Sequence, residues 1–476
     1  MTHRPLDPES RRRFLQQAGR GALALGASVT VPALGDVKMT DAAPPSSTHS
    51  AVFGRASPDE SLLAAARAEQ PATIEALRRM VEIESGSHDA SGLERMADYV
   101  AGRLAALGAT VTRVPATNGK PPGLVEGVLN GRGRLRVLLI AHMDTVYHKD
   151  VLRLEPYRRE GNRVYGPGIA DDKGGIAVIL GALAILRQQG WRDYGQITAL
   201  FNGDEEIGSP GSGSIIEKMG GENDVVLSYE PSPAKAVAGH EGVLLKAAGI
   251  GRLRLEVHGR AAHAGAAPED GRNALIELAY QLIQTREGYR SAPGSQMYWT
   301  TAASGTANNQ IPATAEAGAD VRITEPGAGQ KLFEKVKAKV AEGHLVPDTR
   351  SDVHFQVTRP IFVAGDKGMA LARLAQSIYT ELGAGDLEDE FTRELPADAG
   401  EFRELMFVPV AGGGTDAGFA AASGKPAVLE SLGLAGWGYH AKNEYIEVDS
   451  IVPRLYLTAR MLMELGARAE HEDGAG

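Results

Sequence analysis

The stretch Arg136-Val-Leu-Leu-Ile-Ala141-His142-Met-Asp144-Thr-Val146 decides how this chain is read. Residues 137–141 are apolar without alternation, which suits a strand covered on both faces, as in a parallel sheet flanked by helices. His142 and Asp144 then fall at the C-terminal end of that strand, where open α/β sheets place their sites. Residues i and i+2 project to one side if the extended geometry continues, so Asp144 could fix the tautomer of a metal-bound His142. Taken alone, His-x-Asp more often marks a structural or solvated histidine.

Outward from this strand, residues 58–84 and 91–107 show helical spacing, and 124–129 reads as a strand. Residues 173–188 predict a helix, 196–202 a strand, 211–219 a helix and 224–229 another buried strand. This alternation predicts an α/β domain with a mostly parallel sheet. From about 250 the rhythm changes. Strands are expected at 252–258, 296–302, 314–323 and 352–358, with helices at 273–285 and 331–342. The order β-α-β-β-α-β is a ferredoxin-like α+β unit, which folds on its own core. Helices at 366–383 and 450–466 resume the first style. The expected boundaries are 58–248 and 359–470 for the larger domain, with 249–358 inserted into it.

At 476 residues the chain exceeds one ordinary core and suits two domains. The absence of cysteine excludes disulfides, thiolate metal sites and thiol nucleophiles. The net charge is −10, and residues 1–35 carry five Arg against Asp7 and Glu9, so the remainder is more acidic still. That balance gives no support to a nucleic-acid partner or an anionic membrane surface. Ser10-Arg-Arg-Arg-Phe14-Leu15-Gln16 is followed by an apolar stretch over 21–31, then by Ala33 and Gly35. The apolar stretch is too short to span ~30 Å of hydrocarbon, so no stable membrane anchor is expected. The pattern resembles a twin-arginine export signal over 1–35, which implies a bacterial protein sent folded to the periplasm or beyond. Residues 36–57 read as a flexible linker rich in Ala, Pro, Ser and Thr.

Four further patterns carry chemistry. Asp171 lies in Gly166-Pro-Gly-Ile-Ala-Asp-Asp-Lys-Gly-Gly175, a loop running into a helix. A phosphate cradle fits poorly there, because neither the third glycine of a dinucleotide fingerprint nor a Gly-Lys-Ser/Thr is present. Glu205-Glu206 follows the strand at 196–202. Adjacent side chains point apart, so one could reach a metal while the other faces its water, and cations would let both stay ionised. Glu230 ends another buried strand, and His440 sits in the loop Gly438-Tyr-His-Ala-Lys-Asn-Glu444. Of His142, Asp144, Asp171, Glu205, Glu206, Glu230 and His440, five could ligate metal, one could orient a ligand and one could act as base.

Read in order, these pieces resemble the di-zinc exopeptidase and aminoacylase family, in its glutamate carboxypeptidase (carboxypeptidase G)-like branch. The matching pieces are His142-Met-Asp-Thr-Val, the Gly166–Gly175 loop, Asp204-Glu-Glu-Ile-Gly-Ser, Tyr229-Glu-Pro, Ala262-His-Ala-Gly-Ala-Ala-Pro-Glu, Gly412-Gly-Gly-Thr-Asp and Gly438-Tyr-His. The resemblance runs from about 58 to 466. It implies a di-zinc domain carrying an inserted lid and dimerisation domain, with two Zn²⁺ per subunit and Co²⁺ or Mn²⁺ as possible substitutes. Asp171 would bridge the ions, with His142 and Glu230 on one and Glu206 and His440 on the other. Glu205 would be the general base, Asp144 the partner of His142, and the Asp171–Asp172 peptide cis. The implied reaction is hydrolysis, by a metal-bridged water, of the amide bond to a C-terminal amino acid, glutamate first, in a small peptide or N-acyl amino acid.

His263 matches the family's oxyanion donor, commonly contributed across a homodimer formed through the lid. Arg322 and Asn309 match positions that hold the substrate's free carboxylate and carbonyl, the arginine as a planar fork. The loop Gly412-Gly-Gly414-Thr415 could add backbone N–H groups without side-chain obstruction. An aminoacylase or dipeptidase of the same family would share every ligand and differ only in the pocket. A non-catalytic metal-retaining protein is the rival of another class, which retention of Glu205 disfavours. His88, His148, His258, His344 and His354 match no family site. The connection around 231–250, with His240, is longer than usual, which bears on side-chain specificity.

Overall fold

The computed structural model describes residues 57–286, 293–384, 406–408 and 413–471. The chain divides between Val52 and Phe53, and every described residue belongs to the second unit. The expected export signal, and all but the last residue of the expected linker, lie outside the described residues.

Two helices open the unit, α1 (Glu60–Val81) and α2 (Ala90–Ala106). Each is started by an aspartate, Asp59 or Asp89, that accepts the backbone N–H of the third residue on at 3.1 Å. The main sheet follows: β1 (Thr110–Val114), β2 (Leu124–Asn130), β3 (Arg136–His142), β4 (Gln196–Asn202) and β5 (Val225–Ser228). Between β3 and β4 runs α3 (Lys173–Gln188), buried on almost every side. The covered strand expected at 136–141 is β3. Val137 and Leu139 join the core under the helices, whereas Leu138 and Ile140 pack on the opposite face with Leu200, Val226 and Phe362. Alternate residues go to opposite faces, and both faces are apolar because both are covered.

The chain then builds a second sheet from β6 (Gly249–His258), β7 (Ser295–Ser304), β8 (Thr314–Ile323) and β9 (Arg350–Arg359), with α4 (Ala274–Thr285) and α5 (Ala328–Ala341). Its order is β7-β8-β6-β9, antiparallel throughout, as a ferredoxin-like unit requires. One face is a separate core, where Leu253, Leu255, Val257, Ala319 and Val321 meet Leu278, Leu332 and Val336. Returning to the first sheet, the chain adds α6 (Gly365–Ala384), the edge strand β10 (Ala427–Leu429) and α7 (Ile451–His471).

The main sheet runs β1-β2-β4-β3-β5-β10. The pairs β4/β3, β3/β5 and β5/β10 are parallel, while β1/β2 and β2/β4 are antiparallel, so the sheet is mixed with a parallel centre. A further five-stranded sheet unites short strands at Arg158–Glu160, Arg163–Tyr165, Ser232–Pro233, Ala435–Trp437 and Tyr445–Glu447. It ties the segment after β5 to the loop that carries His440.

Candidate metal centre

The parallel centre of the main sheet assembles the site. In register, β3 sets His142 beside Asn202 of β4 and Ile140 beside Ser228 of β5. Three strand ends therefore deliver His142, Glu205-Glu206 and Glu230 to one edge. Asp171 reaches the same edge from the start of α3. There Asp172 caps the helix by accepting the Gly175 N–H at 3.1 Å, and its other oxygen accepts the His142 N–H at 3.2 Å. The Asp171–Asp172 peptide is cis. His440 comes from the turn after Ala435–Trp437, at a left-handed φ of 61°.

The two oxygens of Asp171 face different histidines. Oδ1 lies 3.0 Å from His142 Nε2, and Oδ2 lies 3.2 Å from His440 Nε2. Glu230 Oε1 stands 3.7 Å from the first ring nitrogen, and Glu206 Oε2 stands 3.0 Å from the second. The geometry thus has two lobes joined by one carboxylate. Two groups, His142–Asp171–Glu206 and His142–Glu205–Glu230, each bring ligand atoms close enough to hold one ion; both use His142, so they cut across the two lobes. Imidazole nitrogens with carboxylate oxygens are the donors that Zn²⁺, Co²⁺ and Mn²⁺ accept.

Electrostatics supports the same fit. Burial raises Glu230 well above the ordinary carboxylate range, helped by repulsion from Asp171. Burial also pushes Glu205 up to about 8, against the pull of Arg359 and His142. Asp171 is held below its usual range: burial alone would raise it, but hydrogen bonds from His142 and His440 prevail. The same bonds to Asp171 and Glu206 lift His440 to about 10. So many buried carboxylates are at ease only beside positive charge, and bound cations supply it more compactly than protons.

Asp144 does more than orient His142. The ring Nδ1 is 3.0 Å from the Asp144 carbonyl oxygen and 3.3 Å from its Oδ1. The carboxylate also accepts the backbone N–H groups of Glu205 and Glu206, both at 3.1 Å, and the Ser87 hydroxyl at 2.8 Å. One buried residue therefore sets both, the imidazole chiefly through its carbonyl oxygen and the adjacent glutamates through its carboxylate.

Two residues that the sequence did not single out also shape the site. Glu444 accepts the N–H groups of Gly168 and Ala170, both at 2.8 Å, and of Asp171 at 3.0 Å, as well as the Tyr147 hydroxyl at 2.7 Å. It lies four residues after His440, so one turn carries both a candidate ligand and the clamp for the Asp171 loop. That spacing was the only available signal. Arg359, at the end of β9, donates to Glu205 Oε1 and to the Glu205 carbonyl oxygen, and is itself buried. With one carboxylate oxygen engaged there, Glu205 is a poorer ligand candidate than Glu206. No local pattern marks this arginine.

Among the described residues, no hydrogen bond or ion pair joins His263, Asn309 or Arg322 to the cluster. His263 and Asn309 lie together at a small ribbon, Ala262–His263 against Gln310–Ile311, where the Asn309 carbonyl accepts the Ala264 N–H at 2.9 Å. His263 Nδ1 accepts the N–H groups of Gly265 and Ala266, both at 3.1 Å. A neutral ring then carries its proton on Nε2 and can donate from there. Arg322 stands half-exposed on the face of β8 away from the helices, with Nε 2.9 Å from Asp320. Gly414 lets the Arg359 stem pass, since a Cβ there would stand 2.6 Å from Arg359 Cδ. The Thr415 hydroxyl is given to buried Glu430 at 2.6 Å, so only its backbone could meet a substrate. His344 is bound to the buried carboxylate of Glu277 at 3.0 Å, a structural use.

Residues 138–343 match the peptidase family M20/M25/M40. Carboxypeptidase G2 of Pseudomonas sp. (strain RS-16) is 42% identical over 412 residues, covering 86% of this chain and 93% of that protein. Among solved structures, aminopeptidase PepT of Bacillus cereus superposes with a TM-score of 0.61 at 19% identity, over 83% of this chain and 98% of that one. An M20 family metallo-carboxypeptidase of Sulfolobus solfataricus gives 0.60 at 18% identity, over 83% and 99%.

Proposed function

Because the chain belongs to peptidase family M20/M25/M40 and is a metallopeptidase, we propose that it hydrolyses the amide bond to a C-terminal amino acid, glutamate foremost, with Glu205 as general base. The reading rests on the similarity to carboxypeptidase G2 and on one observation: each oxygen of Asp171 faces a different histidine. In this assignment Asp171 would hold two Zn²⁺ ions, with His142 and Glu230 completing one shell and Glu206 and His440 the other. When bound, such ions acidify a water and polarise the scissile carbonyl.

The chain's own residues do the rest. Glu205 takes the proton of the attacking water and returns it to the departing amine nitrogen. Asp144 keeps the His142 ring and the Glu205-Glu206 backbone in one arrangement. His263 donates from Nε2 to the developing oxyanion. Arg322 grips the substrate's free carboxylate through its planar fork, and Asn309 meets a substrate carbonyl. A panel of N-acyl glutamates, other N-acyl amino acids and dipeptides, assayed with zinc-loaded enzyme, tests the reading. Turnover confined to N-acetyl amino acids, or to dipeptides with no preference for C-terminal glutamate, would refute the glutamate assignment.

Arg322→Ala is expected to raise KM by about tenfold or more for substrates with a free carboxylate, since a charged hydrogen bond is worth ~1.5–3 kcal/mol. C-terminally amidated substrates should be little affected. An equal loss on both would remove the residue from carboxylate binding.

We also propose a homodimer formed through the inserted unit. It is supported by the outer face of α4, where Leu275, Ile276 and Ile283 are exposed and Ala279 continues the helical stripe. Ile283→Asp should shift the protein from dimer to monomer by light scattering at micromolar concentration. A wild-type monomer under the same conditions would sink the proposal. Among the described residues, no helix is long and apolar enough to cross a membrane. Export by the twin-arginine route remains part of the proposal, resting on Ser10–Gln16 and the apolar stretch after it. A reporter fused to residues 1–40 that stays inside the cell would refute it.

A further inference from the structure

We propose that Arg359 is a positioning residue for Glu205, so that the seating of the inserted sheet sets the geometry of the base. The inference rests on the reading of Glu205 as base. Arg359 is the last residue of β9, where the chain leaves that sheet; it pairs with Ile250, next to a register irregularity at Ile250/Gly251. Just beyond it, Phe362–Val363 pairs antiparallel with Lys246–Ala247, so the entering and leaving segments form a two-stranded ribbon. The arginine therefore stands at the junction of the two sheets.

Its guanidinium spans one residue twice. Nη1 donates to Glu205 Oε1 and Nη2 to the Glu205 carbonyl oxygen, which fixes the side chain relative to its own backbone. A planar fork can do this, whereas an ammonium, being a point charge, cannot hold both directions. The surroundings are shaped to the stem: Gly414 has no room for a Cβ beside Arg359 Cδ. Asp416 lies near enough to stabilise the arginine charge, and is itself held by Ser209 and by Asn202 at 2.7 Å. A buried ion pair is a weak device for stability, because apolar replacements are often neutral. Fixing a group that must receive a proton is a better use. With Oε1 engaged, Oε2 is the oxygen left to take it.

The test uses the full-length, metal-loaded enzyme with Arg359→Met, Arg359→Lys and each combined with Glu205→Gln. Misplacing a reacting group by about 1 Å costs ~10²-fold. Arg359→Met should therefore lower kcat by ~10²-fold, with KM within about threefold and both metals retained by elemental analysis. Arg359→Lys, which keeps the charge, should recover part of the loss and decides the matter if the methionine variant does not fold. In the Glu205→Gln background either change should alter kcat less than about twofold, because the residue acts through Glu205. An undiminished further loss in that background, loss of metal, or wild-type kcat in both single variants would overturn the proposal. Full turnover in Glu205→Gln alone would instead remove the base assignment, and this inference with it.

Discussion

Glu205→Gln is expected to lower kcat by ~10³-fold while both metals stay bound, since general acid–base catalysis contributes ~10²–10⁴-fold. The substitution keeps shape and a hydrogen-bond acceptor but removes the basic carboxylate oxygen that, in the proposed mechanism, would take the water's proton. Its neighbours should tolerate it. The backbone N–H of Glu205 remains on Asp144, and the amide oxygen can still accept from Arg359. The candidate ligands His142, Asp171, Glu206, Glu230 and His440 are untouched, so elemental analysis should return wild-type metal content. The loss of a buried negative charge beside Arg359 should lower the melting temperature, although nearby Asp416 moderates the effect. Turnover near wild type in a variant with full metal content would assign the proton transfer to another group.

The second large effect is expected at Asp171. Asp171→Asn should reduce bound metal from two ions to at most one and abolish measurable hydrolysis. Asp171 is the carboxylate whose Oδ1 and Oδ2 approach His142 and His440 respectively. An asparagine offers one oxygen and one N–H₂, and the latter cannot ligate a cation. The variant should also lose most of the stabilisation that metal confers, which for free metal at a thousand times Kd is ~4 kcal/mol. Wild-type protein should therefore melt at a lower temperature with chelator, and Asp171→Asn should respond much less. Retention of two ions by the variant would show that Asp171 does not bridge.

Much of this architecture was legible from periodicity. The apolar pattern predicts the elements at 173–188, 196–202 and 314–323 to the residue, because each has a clear stop. It does not predict the three-residue strands at Arg163–Tyr165, Ala435–Trp437 and Tyr445–Glu447. Three residues carry no period, and their pairing is decided by what lies across from them. Strand direction was equally hidden: β2 has the composition of a covered strand, yet it runs antiparallel to β4. The tautomer of His263 depends on two backbone N–H groups, and Thr415 is turned to Glu430 by packing.

The sequence by itself determined which residues are candidates for metal chemistry, because ligand types, strand ends and short glycine-bounded motifs are local properties of the chain. Only the tertiary structure decided how they divide. It set the two oxygens of Asp171 toward different histidines, gave Asp144 the backbone of both glutamates, and brought Glu444 and Arg359 to the site. Arg359 is 154 residues from Glu205 along the chain. At that separation no spacing rule operates, and a buried charge finds its partner only where the fold removes water from both.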